Sequence, residues 1–161
     1  MKKRAFFFCF IFIQLISIAQ QREIDSLQKI ISSKVHDSLR IKAYVQWDNL
    51  IYSSNPDKDL ELNREIISLA KKALEKKKLE KKEKDFFYRA QAKAYNNIGS
   101  YFTDRNDYSK ALENYEKSRS LGVASKNLEI QAQAYMNMCR AMRYKGDIKE
   151  AIQYGKKGIT L

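Results

Sequence analysis

In this 161-residue sequence the side chains that could do chemistry are few and scattered. The single histidine, His36, stands beside Asp37, a pairing able to move a proton. It falls where a helix is expected to begin, so a capping or surface role fits it better than catalysis. Cys139 would act as a nucleophile only in an exposed, electropositive setting. It lies instead on an apolar helical stripe and reads as a small buried hydrophobe. Gly155-Lys156-Lys157-Gly158 has the residue types of a phosphate-cradling loop, but the preceding glycine and the Gly-Lys-Ser/Thr ending are missing, and the stretch continues a helix. No Cys/His cluster has metal-ligand spacing. The ten tyrosines stand at helical spacing and read as core. No enzyme is expected, and no cofactor, metal or small-molecule substrate, so any function must come from a surface.

Charge is the most visible surface property. The formal net charge is +12, of which Lys2, Lys3 and Arg4 supply three, leaving +9. Much of the excess lies between Lys71 and Lys84. A nucleic-acid patch or attraction to anionic lipids would explain such a run. It contains no aromatic residue for stacking on single strands, and Glu and Lys alternate in it at helical spacing. It therefore reads first as a solvated helix end, with nucleic acid disfavoured as a partner.

The chain is 44% hydrophobic and 31% charged, with one proline and five glycines. That balance suits a folded chain with long uninterrupted helices, and alternating β-branched runs are absent. The class expected is all-α. The N-terminus is set apart: Met1-Lys2-Lys3-Arg4 is a basic start, Ala5 to Ile18 is apolar, and Ser17-Ile18-Ala19 offers small residues for cleavage. This is the layout of a secretory signal peptide over 1–19. The apolar run is shorter than the ~20 residues of a spanning helix. The alternative is an uncleaved anchor with its basic end in the cytoplasm. Either way the remainder should face the periplasm. Cys9 lies inside the apolar run, not at its end, so it does not read as a lipid-bearing cysteine, and cleavage would leave Cys139 without a disulfide partner.

Beyond the leader, Ile24, Leu27, Ile30 and Ile31 form a lead-in helix. Asp37-Ser38 is expected to cap a helix from Leu39 to about Tyr52. Asn55 is expected to cap the next, with Pro56 at its first position, and this helix should project or fray through the lysines before Asp85. Together 20–84 read as a lead-in and a degenerate first repeat. From Phe86 the pattern sharpens into a helix to Phe102, a turn, and a partner from Tyr108 to Leu121, with Gly122 expected as a left-handed stop. A further pair runs from near Asn127 through Met142 and, after Lys145-Gly146-Asp147, to the end.

The last two pairs are copies of each other. Tyr95, Ile98, Gly99 and Phe102, then Asn106-Asp107-Tyr108, Ala111, Leu112 and Tyr115 recur 40 positions later as Tyr135, Met138, Cys139 and Met142, then Gly146-Asp147-Ile148, Ala151 and Ile152. An aromatic, a Leu-Gly-like pair and a second aromatic on one helix, followed by Ala and an aromatic on the next, resemble the tetratricopeptide repeat. Here the period is 40 instead of ~34; Ser118 replaces an alanine, Val123 stands where proline is frequent, and Gly155 and Gly158 replace the aromatic and alanine of the second copy. The resemblance implies a right-handed α-solenoid of stacked helix–turn–helix hairpins, with two repeats in 85–161 and an array truncated at the C-terminus.

The resemblance also implies a function. In that family the first helices of the pairs line a groove for peptides or partner domains. Carried over, the groove would hold Lys93, Asn96, Asn97 and Ser100 from one copy and Gln133, Met136, Asn137 and Arg140 from the next. Asn96 stands where a carboxylate-clamping member has lysine, so no such clamp is assigned. The expected role is a non-catalytic, exported module for a protein or peptide partner. The alternative is the sensory input of a larger bacterial receptor whose kinase, cyclase or DNA-binding output lies elsewhere. In that case, as with an uncleaved leader, contact with the membrane would come from a segment outside the repeats. A third reading is a binder of nucleic acid or anionic membrane through Lys71–Lys84.

Overall fold

The computed structural model describes residues 18–76 and 78–161, and these are all-helical. Helix α1 covers 18–32. It is followed by α2 (Asp37–Ile51), α3 (Pro56–Leu74), α4 (Lys81–Asp104), α5 (Tyr108–Ala124), α6 (Leu128–Lys145) and α7 (Ile148–Ile159). From α2 onward every helix packs on the next; α4 also touches both α2 and α6. The expected leader lies almost wholly outside the described residues, and Ala19 falls within α1.

Local chemistry sets the helix boundaries. Asn55, Asp107 and Asp147 each begin the second helix of a pair, and their side chains accept from the backbone N–H of Lys58, Lys110 and Glu150. Asn127 does the same for α6 through Ile130. Such caps satisfy N–H groups that the helix leaves unpaired. The turns before α5 and α7 share one backbone form: Asn106 has φ 60° and Gly146, forty positions on, has φ 87°. Glycine and asparagine are the residues that take this left-handed form most readily.

Three boundaries differ from the sequence reading. First, α2 begins at Asp37 and its cap is His36, whose Nδ1 accepts from the Ser38 N–H at 3.3 Å; Asp37 and Ser38 are inside the helix. Second, α3 does not project through the lysines. It ends at Leu74, and α4 begins at Lys81. Leu74 and Leu79 both pack against the core of the first pair, which turns the chain back. Third, Gly122 is not a stop. It lies inside α5, and the left-handed residue is Lys126, φ 53°. A Cβ on Gly122 would come 2.8 Å from Gln131 Cγ and 2.9 Å from Ile130 Cγ2, so the glycine admits the start of α6.

Two apolar clusters fill the interior. Ile41, Ile66, Ala70, Ala73, Phe87, Ala90 and Ala94 join α2, α3 and the first half of α4. Ala111, Tyr115, Met138, Ala141, Met142 and Ala151 join α5, α6 and α7, with Phe102 packed beside them. Gly99 and Ala111 are buried, and a Cβ on Gly99 would collide with the Tyr115 ring. In the second copy the sizes are exchanged. Cys139 replaces Gly99, Gly155 replaces Tyr115, and a Cβ at Gly155 would lie 3.7 Å from Cys139 Sγ. Cys139 is half-buried in this contact. One close approach is thus held by two complementary pairings of small and large.

Candidate functional site

Residues of α2, α4 and α6 line two cavities that share Lys93, Asn97, Ser100 and Arg140. The first, about 500 Å³, lies between α4 and α6 and is walled by Arg89, Lys93, Asn96, Asn97 and Ser100 on one side and Glu129, Gln133, Asn137 and Arg140 on the other. The second, about 520 Å³, reaches towards α2, with Asp48, Asn49, Asp59, Tyr101, Arg105 and Tyr144 in its wall. Together they form one polar groove along the first helices of the pairs.

Seven of the eight side chains picked from the repeat register are in that wall: Lys93, Asn96, Asn97, Ser100, Gln133, Asn137 and Arg140. Met136 is not; it is 63% exposed. The reason is positional. Asn96 occupies the flank of α4 that faces α6, and its counterpart Met136 occupies the equivalent flank of α6, where no described helix packs.

The groove side chains are held by one another. Arg140 donates to Ser100 Oγ at 2.9 Å, and Lys93 to Asn49 Oδ1 at 3.2 Å. Gln133 donates to Asn137 Oδ1 at 3.3 Å. Arg89 and Glu129 pair at 3.4 Å across the first cavity; both are exposed, so the pair contributes little to stability. Arg105 lies over the Tyr101 ring at 3.6 Å and pairs with Asp57 at 3.2 Å. Asn96 differs: its Oδ1 is buried and accepts nothing. A buried polar atom without a partner is uncommon.

Sequence reasoning missed the polar floor of the second cavity. Asp48, Asp59 and Asn63 are 2%, 6% and 1% exposed. Asn63 Nδ2 donates to Asp48 Oδ1 at 2.6 Å and to Asp59 Oδ1 at 3.1 Å. Asn97 Nδ2 donates to Asp48 Oδ2 at 3.0 Å, which ties this cluster to the groove. Burial, then the hydrogen bond and charge of Asp48, push the Asp59 carboxyl up to about 8. A signal was present: Asp48 continues the stripe of Ile41, Tyr44 and Val45 that ends at Ile51, so it stands at a core position.

The lysine run bends across the end of α3, the connection and the start of α4. Lys76 pairs with Asp37 at the N-terminus of α2. The start of α1 is at the other end of α2, where Gln20 donates to the Leu50 carbonyl at 2.6 Å. Lysines and chain entry are therefore separated by the length of α2, about 22 Å at helical rise. Among the described residues no group of three or more side chains could hold a metal ion, and no helix is long and apolar enough to cross a membrane. In comparisons with known proteins, the chain matches no family model, no curated protein and no solved structure.

Proposed function

We propose that this chain is a non-catalytic binding module, a right-handed α-solenoid of tetratricopeptide type that works after export and holds an extended protein or peptide segment in the α2–α4–α6 groove. The observation carrying this reading is that seven side chains chosen by repeat register line one polar groove. Their chemistry suits the ligand. Side-chain amides such as Asn96, Asn97, Gln133 and Asn137 both donate and accept, as an extended peptide backbone does. Lys93 and Arg140 add charge for acidic side chains or a terminal carboxylate.

The test uses positions whose loss spares the core. Lys93, Gln133 and Arg140 are exposed, whereas Asn97 is half-buried and Asn137 buried. The immobilised chain should retain a specific protein or peptide from the exported fraction. Lys93→Ala, Gln133→Ala and Arg140→Ala together should abolish retention with an unchanged circular-dichroism spectrum. Retention by the triple variant would move the binding surface elsewhere.

A second reading, the input segment of a larger receptor, draws support from the outer face of α7. Tyr108 and Leu112 of α5 pack against the cluster that joins α5, α6 and α7. Their counterparts Ile148 and Ile152 are 57% and 53% exposed, as a surface awaiting another hairpin would be. Codons continuing past Leu161 into further hairpins would favour this reading. The lysine run remains the third: salt-sensitive retention on DNA or anionic vesicles would favour it.

A further inference from the structure

We propose that Asp48 and Asp59 share a single proton, and that this proton latches the first hairpin to α4, so that the junction loosens as the medium becomes alkaline. The inference concerns the hairpin itself and holds whether or not the groove binds a peptide.

Counted from the caps Asn55, Asp107 and Asp147, the fourth residue is Asp59 in α3 but Ala111 and Ala151 in α5 and α7. A carboxyl occupies a contact that the other pairs fill with a methyl group. Asp48 meets it from α2, and both carboxyls accept from the same nitrogen, Asn63 Nδ2. Two carboxylates so close and so buried would repel strongly; one proton between them turns repulsion into a hydrogen bond.

Neighbouring charges do not relieve the pair. Around the cavity, α4 and the turn after it present Lys93, Tyr101, Asp104 and Arg105, α6 presents Arg140 and Tyr144, and Tyr52 follows α2. Lys93 is bonded to Asn49, Arg105 to Asp57 and Arg140 to Ser100. Among the described residues no cation forms an ion pair with Asp48 or Asp59. The proton is thus the charge-balancing element. When it leaves to solvent, both carboxylates are ionised, and Asn63 and Asn97 are the donors that remain.

The sign follows from linkage. The folded-state affinity of Asp59 for its proton is raised, with loss at about 8. The stabilisation it brings is complete below the ordinary carboxylate range and disappears as pH rises through about 8.

Trp47, the single tryptophan, precedes Asp48 in α2 and lies under Lys58 of α3, so its emission reports on the packing of the first hairpin. Its emission should change in one step centred at about pH 8, and the melting temperature should fall over the rise to that pH. Asp59→Asn, whose amide donates to Asp48 permanently, should abolish the fluorescence step and melt higher than the parent above it. His36→Asn, at the far end of α2, should leave the step intact. On the unaltered chain, NMR of carboxyl-labelled aspartate should show a carboxyl still protonated at neutral pH, which keeps the test decisive if a variant fails to fold. Aspartates that are all ionised at neutral pH, or a step that persists in Asp59→Asn, would overturn the proposal. So would stabilisation by millimolar calcium that depends on Asp59, since a cation would then hold the place given to the proton.

Discussion

The hairpin α2–α3 and the two that follow it solve the same packing problem with different chemistry. In α4–α5 the helices close on Gly99 and Ala111, and the Tyr115 ring fills the gap, its hydroxyl 3.0 Å from Thr103 Oγ1. In α6–α7 the same approach uses Cys139, Ala151 and Gly155. In α2–α3 the equivalent space holds Asp48, Asp59 and Asn63, and is completed by Asn97 from the next pair. The apolar solution depends on shape, and its strength is nearly independent of pH. The polar solution depends on every donor and on one proton, so it ties hairpin to hairpin but can be undone by conditions.

The contrast can be broken from either side. Tyr115 is fully buried, and Tyr115→Ala should cost about 3–5 kcal/mol in urea unfolding, by an amount that does not vary between pH 6 and 9. Asn63→Ala should cost about 2–3 kcal/mol, because it strips the carboxyl pair of its shared donor, and this loss should grow as pH rises through about 8. Equal pH dependence of the two losses would erase the distinction. The exchanged sizes allow a third check. Gly155→Tyr alone should destabilise by about 1–3 kcal/mol through overpacking. Adding Cys139→Gly, which recreates the Gly99–Tyr115 pairing, should recover at least about 1 kcal/mol in a double-mutant cycle. Ser118 gives the smallest effect. Its hydroxyl is buried without a partner, so Ser118→Ala should raise stability by about 1 kcal/mol.

What the sequence revealed follows the same division. Caps, turns and the Gly99 and Ala111 contacts were legible because they recur at a fixed spacing and obey local rules. The same register picked out Lys93, Gln133, Ser100 and Arg140, which the fold brings to one wall; Met136 stays outside it, because its exposure depends on which helix lies alongside. Gly122 was misread for a similar reason: a glycine near a helix end looks like a stop, and only the arrival of α6 gives it another purpose. A capping role was legible for His36, but the start of α2 was assigned to Asp37-Ser38, because aspartate and serine are the commoner caps. Asp48, Asp59 and Asn63 escaped notice since polar residues on a helix are read as solvated, and their meeting depends on the angle between α2, α3 and α4.

Site-specific photocrosslinking tests the functional account most directly. A photoreactive residue at Gln133, on the groove wall, is compared with one at Glu113, exposed on α5. Crosslinks to a captured protein or peptide from position 133, and none from 113, are the expected result. Crosslinks from 113 with none from 133 would contradict the assignment of the α2–α4–α6 groove as the binding surface.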